Sequence, residues 1–238
     1  MPWRITPERV AEEAGSALAA LLQDALRSVV LYGEWARPGP RALRADVHLV
    51  AVAEPLTFAH LQRAAQWWAR WHRHGVATPL LLSATDLARS RDVFPLEFLE
   101  IRAQHRTLAG ADLFADLGVG AACVRAQCER EAKGKLLRLR ALYLELSGST
   151  RALRALMLDS RRTFLLVMRG LLYLCGEPWR GDERDVLDAF ERRYGCRLPV
   201  LAAMAAAPAE AAIEQRFADY LAEIELLATI ADQATARP

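Results

Sequence analysis

Lysine is almost absent from this 238-residue chain: Lys133 and Lys135 are the only two, and arginine supplies the remaining basic residues. With Ala and Leu used heavily throughout, that bias reads as base composition of the coding sequence and carries no chemistry. An excess of one charge is missing too. The 31 basic and 29 acidic residues leave a formal net charge of +2, without the concentrated positive field of a dedicated nucleic-acid binder. Nucleic acid is therefore an unsupported partner. The four cysteines, Cys123, Cys128, Cys175 and Cys196, match neither paired zinc-ligand spacing nor a dense disulfide framework, which predicts buried free thiols in a reducing compartment.

Long apolar runs are also lacking. The most apolar segment, Phe164 to Cys175, is interrupted by Arg169 and Gly170 and falls short of the roughly 20 residues that span a bilayer. It reads as a buried core helix, and no membrane is implied. The first ten residues carry Arg4, Glu8 and Arg9 and no signal-like hydrophobic region, so a cytoplasmic protein is expected. Gly-x-Ser-x-Gly, Walker and His-Glu-x-x-His motifs do not occur, which leaves the common hydrolase and ATPase mechanisms without support. Gly118-Val-Gly120 has no third glycine and no strand before it, and reads as a domain joint. No internal repeat is evident.

What is present is an alternation of elements that changes character midway. Pro7 to Arg27 carries an apolar helical face of Val10, Ala14, Leu18, Leu21, Leu22 and Leu26, which predicts an opening helix. Ser28–Tyr32 and Asp46–Val52 read as strands separated by a loop rich in Pro, Gly and Arg. Thr57–His74 reads as a helix, Thr78–Leu82 as a third strand, and Ala84–Arg91 as a short helix or turn. Within the helix, Leu61, Ala64, Ala65, Trp68 and Trp71 are expected to face the core and Trp67 to lie outside. His72 and His74 point apart and do not share a metal.

From about Gly118 only helical periodicity remains. Helices are expected over Val119–Leu146, from a cap near Thr150 to about Cys175, from an Asp182 cap to Tyr194, and over Leu198–Ala206 and Glu210–Ala231. The expected class is α+β: a mixed sheet flanked by helices over residues 1–115, then an all-α helical bundle over 116–238. Glu129, Arg130, Glu131, Lys133, Lys135, Arg138 and Arg140 lay a mixed-charge strip along the first long helix. Its bland meaning is a solvated face. Its functional meaning is that Lys133, Lys135 or Arg138 meets a small anionic ligand.

The segment Val29-Val-Leu-Tyr-Gly-Glu-Trp-Ala-Arg-Pro-Gly-Pro-Arg-Ala-Leu-Arg-Ala-Asp-Val-His-Leu-Val-Ala-Val resembles the signature of the nucleotidyltransferase superfamily related to DNA polymerase β. That signature is a hydrophobic strand, Gly-Ser or Gly-Gly, a loop, then Asp-x-Asp or Asp-x-Glu in a second strand. Gly33 and Asp46 match it; Glu34 replaces the small residue and His48 the second carboxylate. A helical C-terminal domain is a frequent companion of this fold, as in aminoglycoside nucleotidyltransferases and related minimal forms.

The resemblance implies a nucleotide cradled near Gly33, Glu34 and Arg37, and a Mg²⁺ or Mn²⁺ pair held at Asp46. The departures work against it. Glu34 places an anion where triphosphate belongs, and two unit charges about 4 Å apart at an effective dielectric near 20 repel by about 4 kcal/mol. An imidazole at His48 is a poor Mg²⁺ ligand, though Glu34, Asp46 and His48 together would suit Mn²⁺ or Zn²⁺. The third strand carries no carboxylate, leaving Glu97 and Glu100 as candidates for a third ligand. Some minimal relatives work with helical HEPN ribonucleases, which need a histidine after an arginine; no histidine follows His105. Three readings follow: an impaired, non-catalytic module that binds a nucleotide or other ligand or a protein partner; an active transferase acting on a small molecule or protein; or an assembly protein whose helical domain forms a homo-oligomer.

Overall fold

The structure, a computed structural model, describes residues 6–37, 46–178, 181–204 and 213–235. The chain divides into two units at Val119/Gly120. The first unit is α+β and its described residues order as α1 (Pro7–Leu22), β1 (Leu26–Tyr32), β2 (His48–Ala53), α2 (Phe58–Trp71), β3 (Leu80–Ser83), α3 (Ala84–Arg89), α4 (Pro95–Ala103) and β4 (His105–Gly110). The second unit contributes α5 (Ala121–Leu146), α6 (Thr150–Leu174), α7 (Glu183–Tyr194), α8 (Pro199–Ala203) and α9 (Ile213–Gln233).

α1 begins where Thr6 Oγ1 accepts the Arg9 N–H and Pro7 supplies a preset first-turn φ. Its expected extension to Arg27 does not form. Gln23 takes φ +48, a short 3-10 turn follows, and Leu26 already pairs with Ala53 of β2. The strand thus takes over the last residues assigned to the helix.

The four strands lie in the order β3-β2-β1-β4, with β1 antiparallel to both neighbours and β2 parallel to β3. Both faces of β1 are covered. Val29 and Leu31 pack with Val10, Ala14, Leu18, Trp67 and Trp71 on one face, while Val30 packs with Val50, Phe98, Ile101 and Phe114 on the other. Double burial is why this strand is an unbroken apolar run with no alternation.

α4 and β4 have no clear counterpart in the sequence pattern. Leu96, Phe98, Leu99 and Ile101 are all buried, so α4 shows no single apolar stripe. β4 reads His-Arg-Thr-Leu-Ala-Gly and is an edge strand, poor in the residues that advertise one. It ends at Gly110, whose φ is +75 and where a Cβ would lie 2.2 Å from the Arg27 carbonyl oxygen. Only glycine fits this close approach.

The predicted core face of α2 holds at Ala64 and Trp71 but assigns the wrong one of the two adjacent tryptophans to the core. Ala64, Trp67 and Trp71 are buried, and the Trp67 indole N–H donates to the Ala14 carbonyl at 3.1 Å. Leu61, Ala65 and Trp68 are exposed. The correction has a physical basis: in this rotation the Trp67 indole N–H, which needs a partner when buried, finds one in the Ala14 carbonyl of α1.

In the second unit α5, α6 and α9 pack together and α7 packs on α6. Val124, Cys128 and Leu139 of α5, Met157, Phe164 and Met168 of α6, and Phe217, Tyr220 and Ile224 of α9 are buried. Ser160 Oγ and Tyr220 Oη form a buried hydrogen bond at 2.8 Å. Glu223 of α9 accepts the N–H groups of Val200 and Leu201, the first turn of α8, at 2.7 and 2.9 Å. It serves as a cap supplied from another helix. Asp182 caps α7 in a reciprocal capping box with Asp185.

Candidate functional site

Gly33, Glu34 and Arg37 follow the end of β1, and Asp46 and His48 stand at the start of β2, the end of the sheet where β4 also begins. Tyr32, the last residue of β1, pairs with His48 on one side and His105 on the other. The rings of Tyr32 and His48 lie 5.5 Å apart, centroid to centroid. Gly33 follows with φ +75, and its N–H donates to the Gln104 carbonyl at 3.0 Å. A Cβ there would meet nothing closer than His48 Cδ2 at 3.9 Å, so the backbone angle, not crowding, favours glycine.

Gly33–Ala36 then forms a 3-10 turn pinned by Trp35, which is buried on the α1 side of the sheet with Val47. Glu34 and Arg37 are half-buried, and the Arg37 N–H donates to the Glu34 carbonyl at 3.3 Å.

Asp46 is exposed and precedes β2. Between it and His48, Val47 bridges to Val76 and exchanges hydrogen bonds with Gly75 and Ala77. Extended alternation therefore puts Asp46 and His48 on the same side of the chain. Glu97 and Glu100 are on α4, both half-buried. Among the described residues, no three His, Cys, Asp or Glu side chains converge closely enough to hold a metal ion. The four strands contain no aspartate or glutamate at all. One flanking carboxylate and one imidazole do not fit a Mg²⁺ pair, which takes oxygen ligands in near-octahedral geometry.

His105 at this sheet end is a residue whose role no motif announced. Its Nε2 lies 3.0 and 3.1 Å from the two Asp112 carboxylate oxygens, and its Nδ1 3.1 Å from the Arg102 carbonyl. Both neighbours are acceptors, so both bonds form together only when the ring carries two protons. Asp112 also accepts the N–H groups of Phe114 and Ala115 at 3.1 and 3.0 Å. Burial pushes this carboxyl up, but the bonds from His105, Phe114 and Ala115 and the His105 charge outweigh it, and the group is held below the usual carboxylate range. Through its contact with Asp112, His105 ties β4 to the segment that follows it.

Lys133 and Lys135 belong to α5. Lys133 bonds Glu129 at 2.8 Å and Asp232 at 2.5 Å, and those bonds raise its pKa. Arg140 pairs with Glu225 at 2.7 Å. Part of the basic strip therefore ties α5 to α9, and its charge is answered inside the unit. A cleft of about 300 Å³ between α6 and α7 is lined by opposed charges, Arg169 and Arg192 with Asp185 and Asp188, beside Leu172 and Ala189. None of the predicted site residues lines it. Cys123, Cys128, Cys175 and Cys196 are free thiols; burial, the largest influence, pushes Cys128 up to about 12. No helix among the described residues is long and apolar enough to cross a membrane. No protein-family model matches the chain, and no curated protein is significantly similar to it.

Proposed function

We propose that the first unit is a nucleotidyltransferase-like module that no longer performs metal-dependent transfer and acts by binding, with a small ligand at the sheet end around Gly33, Asp46 and His48 or a protein partner. One observation carries the reading. Among the described residues, none of the four strands carries a carboxylate, whereas two-metal phosphoryl chemistry needs several anionic oxygens to hold the ions and align the attacking and leaving groups. Glu34, directly after Gly33, adds a charge that repels phosphate from the turn a nucleotide would use.

Calorimetric titration with ATP, GTP, CTP and UTP, in Mg²⁺ and in Mn²⁺, tests it. No nucleotide is expected to bind in a metal-dependent way. Tight metal-dependent binding that vanishes in Asp46→Ala would instead establish a working transferase site.

A further inference from the structure

Helix α2 has two apolar faces, and the fold uses only one. Ala64, Trp67 and Trp71 are buried in the unit's core. On the other face Phe58 is 73% exposed, Leu61 42% and Trp68 36%, with Ala65 exposed between them. These four stand at i, i+3, i+7 and i+10, the spacing of a seam that accepts a second helix. Along α2 and the segments that flank it in sequence, the charge has one sign. Residues 55–85 include no aspartate or glutamate, although the whole chain carries 29. Arg63, Arg70, His72, Arg73 and His74 are all exposed there. The cations Arg70 and Arg73 stand at the C-terminal end of the stripe beside His72 and His74, and the His72 ring lies against Trp68 with centroids 5.0 Å apart.

We propose that this face of α2 is a docking surface for an acidic amphipathic helix of a partner protein. Charge complementarity selects the occupant. A second copy of this surface would bring no carboxylate to answer the cations. A nucleic-acid strand would require aromatic platforms at the spacing of neighbouring bases, but Phe58 and Trp68 are ten residues apart in sequence, about 15 Å along a helix. Leu61 and Ala65 lie between them, and His72 already covers part of Trp68. Apolar residues at heptad spacing, with positive charge at one end, match the complementary pattern on an acidic helix. The inference is independent of the sheet-end reading.

A display library of random helix-length peptides, selected on the full-length protein and counter-selected on Leu61→Glu, tests it. Enriched peptides should carry net negative charge and apolar residues at i, i+3 or i+4, and i+7. The best of them, synthesised, should bind more weakly at high salt. It should lose about tenfold or more in affinity with both Leu61→Glu and Phe58→Glu, variants whose exposed positions leave unfolding curves unchanged. Asp46→Ala should bind it normally, which separates this surface from the sheet end. The proposal is overturned if no stripe-dependent peptide is enriched, if the enriched peptides are neutral or basic, or if both variants bind unchanged. Binding of oligo-dT, of phosphatidylserine vesicles, or of a second copy in sedimentation, lost in the same two variants, would overturn it by assigning the stripe to another occupant.

Discussion

At the scale of single residues, Asp112 couples stability to pH. Its folded-state pKa is depressed by His105 and by two backbone N–H groups. Its contribution is therefore complete above the ordinary carboxylate value of about 4 and is lost as pH falls through the lower folded value. Asp112→Asn should melt below wild type at neutral pH, and the gap should shrink toward pH 3; thermal unfolding at the two pH values measures it, and a constant gap would contradict the mechanism. Gly110 is the sharper steric case. Gly110→Ala forces a left-handed backbone and a 2.2 Å approach to the Arg27 carbonyl. A loss on the order of 3 kcal/mol is expected by urea denaturation. At the sheet end, His48→Asp makes an Asp-x-Asp pair with Asp46. If the lack of a second carboxylate there is what prevents metal binding at the proposed site, calorimetry should show Mn²⁺ binding by that variant and none by wild type.

At the scale of elements, α2 separates pattern from placement. Its periodicity announces an amphipathic helix, but with two adjacent tryptophans and two candidate apolar faces the local pattern picks the wrong indole for the core. The contact with α1 decides it, through the Trp67 hydrogen bond to Ala14. Trp67→Ala should cost about 3 to 5 kcal/mol of unfolding free energy, as expected for a core indole, and Trp68→Ala less than about 1 kcal/mol. Equal losses would show that the rotation is wrong. β4 and α4 illustrate the opposite limit. An edge strand of mixed polarity and a helix buried on several sides have no strong period to read, and each is defined by its neighbours: β4 by its ladder to β1, α4 by Phe98 and Ile101 against Val30 and Val50.

At the scale of the whole molecule, each unit owns a hydrophobic core. The first is built on both faces of its sheet. The second lies among α5, α6 and α9, with Leu136, Met157, Phe164 and Tyr220 buried. Separately expressed residues 1–119 and 120–238 should each fold cooperatively, which circular dichroism during denaturation will show. A fragment that remains unfolded alone would mean its core depends on the other.

The sequence by itself determined what depends on local pattern. The apolar runs of β1 and β2, the long helices after Gly120 and the Asp182 cap of α7 are all legible because each is fixed within a few neighbouring residues. The tertiary structure alone decided what depends on distant partners: which indole of α2 is buried, that β4 adds beside β1 and brings His105 into register with Tyr32, and that Asp112 clamps it. Strand pairing and helix rotation are set by contacts between residues far apart in the chain, and no local period encodes them.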